Sequence, residues 1–159
     1  MRNKVLLWLL ATMLVLSSSA VAANPSSSVK KFDVRLTSLY NSPLGGSYNL
    51  LSSDWKIKSN YRLGMVIGVQ RFEDVSHLGA YFGYEFPQGD NHFYSLYSNL
   101  GAGYWLGNRL EAPYLRVECG LKFKLMDPFY VGIGLDEYFL FHEGNNRLHN
   151  ISISLGLKF

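Results

Sequence analysis

Cysteine is nearly missing: Cys119 stands alone, so no intramolecular disulfide can staple the chain. Small secreted soluble domains more often carry paired cysteines, whereas a fold that closes its own ring of backbone hydrogen bonds does not need them. Also lacking, after residue 23, is any stretch of the ~20 apolar residues that a transmembrane helix requires. A chain of this kind crosses a bilayer only as a closed barrel of strands. There is no phosphate-binding glycine loop, no paired Cys/His spacing for a metal and no helical pattern to carry a His-Glu motif. The residues therefore point to no metal, no cofactor and no catalytic set.

A strong excess of one charge is lacking too. Arg2 and Lys4 precede an apolar run from Val5 to Leu16 and a small-residue stretch ending in Ala22 and Ala23. This is the pattern of a secretory signal peptide, residues 1–22, with cleavage after Ala22 or Ala23. The run is short for a bilayer span, so an uncleaved anchor is the weaker alternative. Without the signal, 13 basic residues face 12 acidic ones, a formal charge of +1. Nothing in that balance asks for a nucleic-acid partner.

What the chain has in quantity is aromatic side chains and alternation. Eleven Tyr and ten Phe recur in segments where large apolar and polar residues exchange at every second position, the period of a strand with two different faces. A polar leader, residues 23–30, precedes a domain over 31–159. The first strand spans about Lys31 to Tyr40, with Phe32, Val34, Leu36 and Tyr40 on one face. Asn41 to Gly46 is a loop. Residues 47–71 could form one very long strand, since Trp55, Ile57, Tyr61, Leu63, Met65, Ile67 and Val69 share one parity. That gives seven strands in all. Single-chain bacterial barrels have even numbers, so the stretch is split into Ser47 to Ile57, a turn at Lys58 to Asn60, and Tyr61 to Phe72. Further strands are expected over Ser76–Phe86, His92–Leu106, Leu110–Leu125, Phe129–Phe141 and Leu148–Phe159, with turns at Glu73–Val75, Pro87–Asn91, Gly107–Arg109 and Asp127-Pro128. His142 to Arg147 leads into the last strand.

The final strand carries Ile151, Ile153, Leu155, Leu157 and Phe159 on one face and Asn150, Ser152, Ser154, Gly156 and Lys158 on the other. This ending resembles the C-terminal strand of bacterial outer-membrane β-barrel proteins, and with eight strands the chain is similar to the small OmpA/OmpX type. The resemblance implies an all-β, eight-stranded antiparallel up-and-down transmembrane barrel in the bacterial outer membrane. It also implies that Ile151, Ile153, Leu155, Leu157 and Phe159 serve as the membrane-insertion signal. The partners are then outer-membrane lipid and lipopolysaccharide together with the barrel-insertion machinery, and the protein is a monomer. Both termini would lie in the periplasm, with the connections near 41, 74, 108 and 144 outside. The alternative consistent with periodicity is a soluble lipocalin-like barrel, which turns its oily face inward around a ligand.

On the membrane reading the polar face collects Asp33, Arg35, Arg62, Glu85, Arg116, Glu118, Lys122, Lys124 and Asp136 in a lumen wide enough only for side chains. Such charges must pair. Tyr81, Tyr97, Tyr130 and Tyr138 share that face, and glycines at 79, 83, 101, 103, 120, 132, 134 and 156 leave them room. The expected result is a polar plug in preference to an ion path. Outward aromatics such as Tyr40, Trp55, Tyr61, Tyr84, Phe86, Tyr94, Tyr104, Phe129 and Phe159 suit interfacial girdles, and Cys119 behaves as a small hydrophobe.

Two other functions compete with a structural or accessory barrel. Surface lipid A deacylases of this architecture use a His-x-Ser pair with a carboxylate. Here His142 is followed two residues later by Gly144 and His149 by Ile151, while His149 and Ser152 point to opposite faces. The palmitoyl transferases are led by an amphipathic helix, which the polar leader is not. His77 and His92 stand alone, as interior or turn residues. An adhesin would display long outer connections, and three of the four look short.

Overall fold

The computed structural model describes residues 32–40, 48–58, 60–70, 74–86, 93–107, 110–142 and 146–159. The expected signal peptide and leader, Lys31 and His92 lie outside them. Eight strands follow one another in order: β1 (Phe32–Tyr40), β2 (Tyr48–Lys58), β3 (Tyr61–Gln70), β4 (Asp74–Glu85), β5 (Tyr94–Gly107), β6 (Leu110–Met126), β7 (Phe129–Leu140) and β8 (Asn146–Lys158). Each pairs antiparallel with its sequence neighbours, and β1 pairs with β8, so the sheet is a closed barrel. Closure leaves no unpaired edge.

The seam is held over the register Asp33↔Lys158 to Tyr40↔Ile151. It is finished by reciprocal bonds in which the Phe32 amide donates to the Phe159 carbonyl at 3.0 Å and the Phe159 amide to Phe32 at 2.7 Å. The division of residues 47–71 falls where the turn residues place it, with Lys58 paired to Tyr61 and a register shift between Lys56 and Lys58. Two strands begin two residues earlier than expected. Asp74 and Val75 belong to β4, because a register shift after Gly68 brings Val69 opposite Val75 and Gln70 opposite Asp74. Asn146 and Arg147 belong to β8, drawn into the ladder by Leu140 and Phe139. The connections at the end opposite the termini are therefore 41–47, 71–73, 108–109 and 141–145.

Alternation decides which face is which. Leu100, Leu135 and Leu155 point outward and are more than half exposed, while Arg116, Glu118 and Asp136 are buried inside. The oily face is outside. The lipocalin-like arrangement, which needs the reverse, is thereby overturned. Around the end that carries the termini, outward rings cluster as Tyr61 against Phe82 and Tyr84, Tyr84 against Phe86, and Phe93 against Tyr94 and Phe123, with centroids 5.0–6.3 Å apart. That is the placement of an interfacial girdle. Cys119 faces outward and is exposed.

Glycine positions set how closely strands and rings approach. A Cβ on Gly156 would enter the Tyr130 ring, and one on Gly103 would meet the Leu78 carbonyl oxygen of the adjacent strand as well as the Tyr114 hydroxyl. A ring end can tilt, but the Leu78 carbonyl cannot retreat without loosening the β4–β5 ladder. Gly103→Ala is therefore expected to destabilise the barrel by roughly 1–3 kcal/mol, read as a lower urea midpoint of unfolding. An unchanged midpoint would show that the ladder yields there.

Candidate functional site

Most of the chemistry-bearing side chains among the described residues converge in the lumen, which is built in layers. At the end near the termini, inward positions of β1, β2, β3, β4, β6 and β8 bring charges to one level. Arg62 Nη1 donates to Asp54 Oδ1 at 2.8 Å and to Asp33 Oδ2 at 3.2 Å, and its Nη2 donates to Glu85. Lys122 Nζ lies 2.9 Å from Asp33 Oδ2, and Lys158 Nζ lies 2.9 Å from Glu85 Oε1. Tyrosines complete the carboxylates: Tyr130 donates to Asp33 at 2.5 Å and Tyr81 to Asp54 at 3.1 Å. The Lys122 ammonium also sits over the Tyr130 ring, 4.9 Å from its centroid.

The middle layer is organised by Glu118. Its carboxylate accepts from Arg35 Nη2 at 2.9 Å, Tyr97 at 2.9 Å, Asn99 at 2.8 Å and Arg116 Nη2 at 3.1 Å. Arg116 turns the rest of its fork to Asp136, with Nε 2.9 Å from Oδ1 and Nη2 2.5 Å from Oδ2. Five carboxylates (Asp33, Asp54, Glu85, Glu118, Asp136) thus meet five cations (Arg35, Arg62, Arg116, Lys122, Lys158). The network is neutral as a whole, which is how so many charges can be held away from water.

Above it the lumen changes character. Leu39, Tyr48, Leu50, Val66, Trp105, Tyr114, Tyr138, Leu140 and Leu148 pack as one buried cluster reaching down to Tyr81. His77 lies fully inside, stacked on Trp105 with centroids 4.8 Å apart and planes at 16°. Its Nε2 is 3.3 Å from the Tyr138 hydroxyl. The Arg116 guanidinium joins the two layers by lying 5.6 Å from the Tyr138 ring centroid. The interior therefore holds an aromatic stopper above the salt network. The reason is that Tyr48, Trp105 and Tyr114 take inward positions near the strand ends, where Trp105 meets both tyrosines edge-on.

Of the charges expected inside, Asp33, Arg35, Arg62, Glu85, Arg116, Glu118, Lys122 and Asp136 occupy the two polar layers. Lys124 does not. It has the parity of Lys122, but it lies one pair before the β6–β7 turn, where the register shifts between Lys124 and Met126. Its side chain is 63 % exposed and faces Asp127 at 3.5 Å. Sequence reasoning missed Asp54, Lys158 and Asn99 as network members, whereas Tyr81 was among the rings placed on that face. Parity marks all of them as inward, and Asp54 was discoverable as the acidic neighbour of Trp55 on the opposite face.

Ile151, Ile153 and Leu155 stand exposed on the outward face of β8, with Phe159 at its end, while Ser152 is buried in the lumen at 1 % exposure. His149 is outward and its Nδ1 lies 3.5 Å from Glu137 Oε1. The outward position next along β8 is Ile151, so this His–carboxylate pair has no hydroxyl beside it on its strand. Among the described residues no three His, Cys, Asp or Glu side chains are grouped to hold a metal ion.

No family model matches the chain, and no curated protein matches it. Solved structures do. The N-terminal β-barrel domain of Pseudomonas aeruginosa OprF superposes with a TM-score of 0.59 at 10 % identity, covering 82 % of this chain and 98 % of that one. A structure from the de novo design of transmembrane β-barrels gives 0.59 at 11 % identity, covering 84 % and 98 %. The outer-membrane enzyme PagL gives 0.51 at 16 % identity, covering 80 % and 99 %. At these identities the likeness is one of fold: the chain has the fold of the small eight-stranded outer-membrane β-barrels.

Proposed function

We propose that this protein spans the bacterial outer membrane as a closed, monomeric barrel with a structural or accessory role. In this reading residues 1–22 direct export, residues 23–30 form a periplasmic leader and residues 31–159 insert, with the outward series Ile151, Ile153, Leu155, Leu157 and Phe159 recognised by the insertion machinery. The observation that carries the proposal is the pairing of an apolar outer wall with a lumen filled at every level, by neutralised charge below and by stacked rings above. A lumen so filled opposes ion passage, since conduction would require breaking buried ion pairs.

A deacylase-like activity would need a nucleophile beside His149 on the lipid-facing wall, and that wall offers Ile151. A surface-binding role would rest on the outer connections, of which 71–73 and 108–109 are very short.

The test combines migration and conductance. Protein extracted from outer membranes in mild detergent is expected to run faster unheated than boiled on a denaturing gel, and to lose that shift when Phe159 is removed. In planar bilayers the folded protein is expected to give no steady conductance. Recovery in the soluble periplasmic fraction would overturn the location, and stable open channels would overturn the closed lumen.

A further inference from the structure

The outward apolar wall is interrupted by charge at one place on β7 and β8. Along β7 the outward residues run Phe129, Val131, Ile133, Leu135 and then Glu137, with Phe139 and the exposed Phe141 beyond it. Along β8 they run from Phe159 through Leu155, Ile153 and Ile151 to His149 and Arg147. The register sets Glu137 opposite His149 and Phe139 opposite Arg147. Arg147 Nε donates to Glu137 Oε1, the same oxygen that lies 3.5 Å from His149 Nδ1. The Arg147 guanidinium also lies 5.0 Å from the Phe139 ring centroid. Arg147 is nevertheless 53 % exposed and His149 66 % exposed.

This is an oriented cation, not a solvated one. Glu137 takes the Nε edge and Phe139 lies against the guanidinium, which leaves the two Nη groups without a partner among the described residues. Cations on a lipid-facing wall are costly at the bilayer midplane and nearly free at the interface. Phe139 lies level with Arg147 and Phe141 lies further toward the connections, so the cluster sits near the outer margin of the apolar belt, at the height of lipid headgroups. A planar guanidinium with two free donors matches the oxygens of a phosphate group.

We propose that Arg147, oriented by Glu137 and Phe139 and assisted by His149, binds the phosphate group of a lipid in the outer leaflet. This rests on the membrane location proposed above. The carboxylate binds the Nε edge, so a phosphate would approach the other edge of the guanidinium.

The test uses the protein purified in a maltoside detergent, which contains no phosphate, and native mass spectrometry of lipid adducts. The probes are lipid A carrying its phosphate monoesters and the same lipid after enzymatic dephosphorylation. Wild type is expected to retain the phosphorylated form about tenfold better, the size of one charge-assisted bidentate contact. Arg147→Gln should bring the two lipids level, and Glu137→Gln, which frees the arginine to swing, should reduce the preference while leaving the heat-dependent gel shift intact. Equal retention of both lipids by a wild-type sample that shows the gel shift would overturn the lipid site alone. Complete displacement by millimolar inorganic phosphate would overturn it in favour of a free-anion site. A sample without the shift would sink the membrane reading and the lipid site together.

Discussion

Replacing Arg116 with leucine is expected to cost about 3–5 kcal/mol of barrel stability, because it leaves a buried carboxylate without its counter-ion. Asp136 is 1 % exposed, and Arg116 is the cation that bonds it, through Nε and Nη2 together. Glu118 is less affected, since Arg35, Tyr97 and Asn99 continue to donate to it. The penalty thus belongs to the stranded Asp136 and not to the lost attraction as such. The double variant Arg116→Leu/Asp136→Leu removes both charges and should recover most of the loss, as apolar replacements of buried ion pairs commonly do. Urea unfolding of the protein in lipid vesicles, followed by the heat-dependent gel shift, separates the two cases. A double variant as unstable as the single one would mean that the shape of Arg116, including its contact with the Tyr138 ring, matters more than its charge.

Trp105→Ala should cost a similar ~3–5 kcal/mol for a different reason, the cavity left in a closely packed cluster. The indole is 3 % exposed, stacked on His77, and meets Tyr48 and Tyr138 edge-on at 5.5 and 5.7 Å. Each such aromatic pair adds roughly 0.5–1.5 kcal/mol to the area it buries. The variant is expected to unfold at lower urea yet remain non-conducting in planar bilayers, because Arg35, Arg116 and Glu118 still fill the middle of the lumen. Channel openings in Trp105→Ala would assign the closure to the rings alone. Wild-type stability would mean that Tyr114 and Tyr138 collapse into the space.

These expectations draw on different levels of information. The eight strands and their two faces were legible because period-two alternation is a local property, repeated in β6 from Leu115 to Leu125 and in β8 from Ile151 to Phe159. The boundaries that moved, at Asp74 and at Asn146, moved because a neighbouring strand extended the ladder, and no single segment carries that information. Parity alone brought eight of the nine expected charges to the lumen. It failed at Lys124, because parity gives a side and not a height along the barrel.

By itself, then, the sequence determined which segments alternate and which side of each strand is oily, since these follow from residue order along one strand. The count of eight also took the even-number rule of such barrels, and the closed class came from the resemblance of the last strand. Tertiary structure alone decided that the oily side faces outward, which charges meet, and where the salt network ends and the aromatic stopper begins. Those outcomes depend on register around the closed ring, which brings Arg35 to Glu118 and Lys122 to Asp33 across 83 and 89 positions of chain. No local pattern encodes such a meeting; it is set by the sum of eight pairings and the small bulges within them.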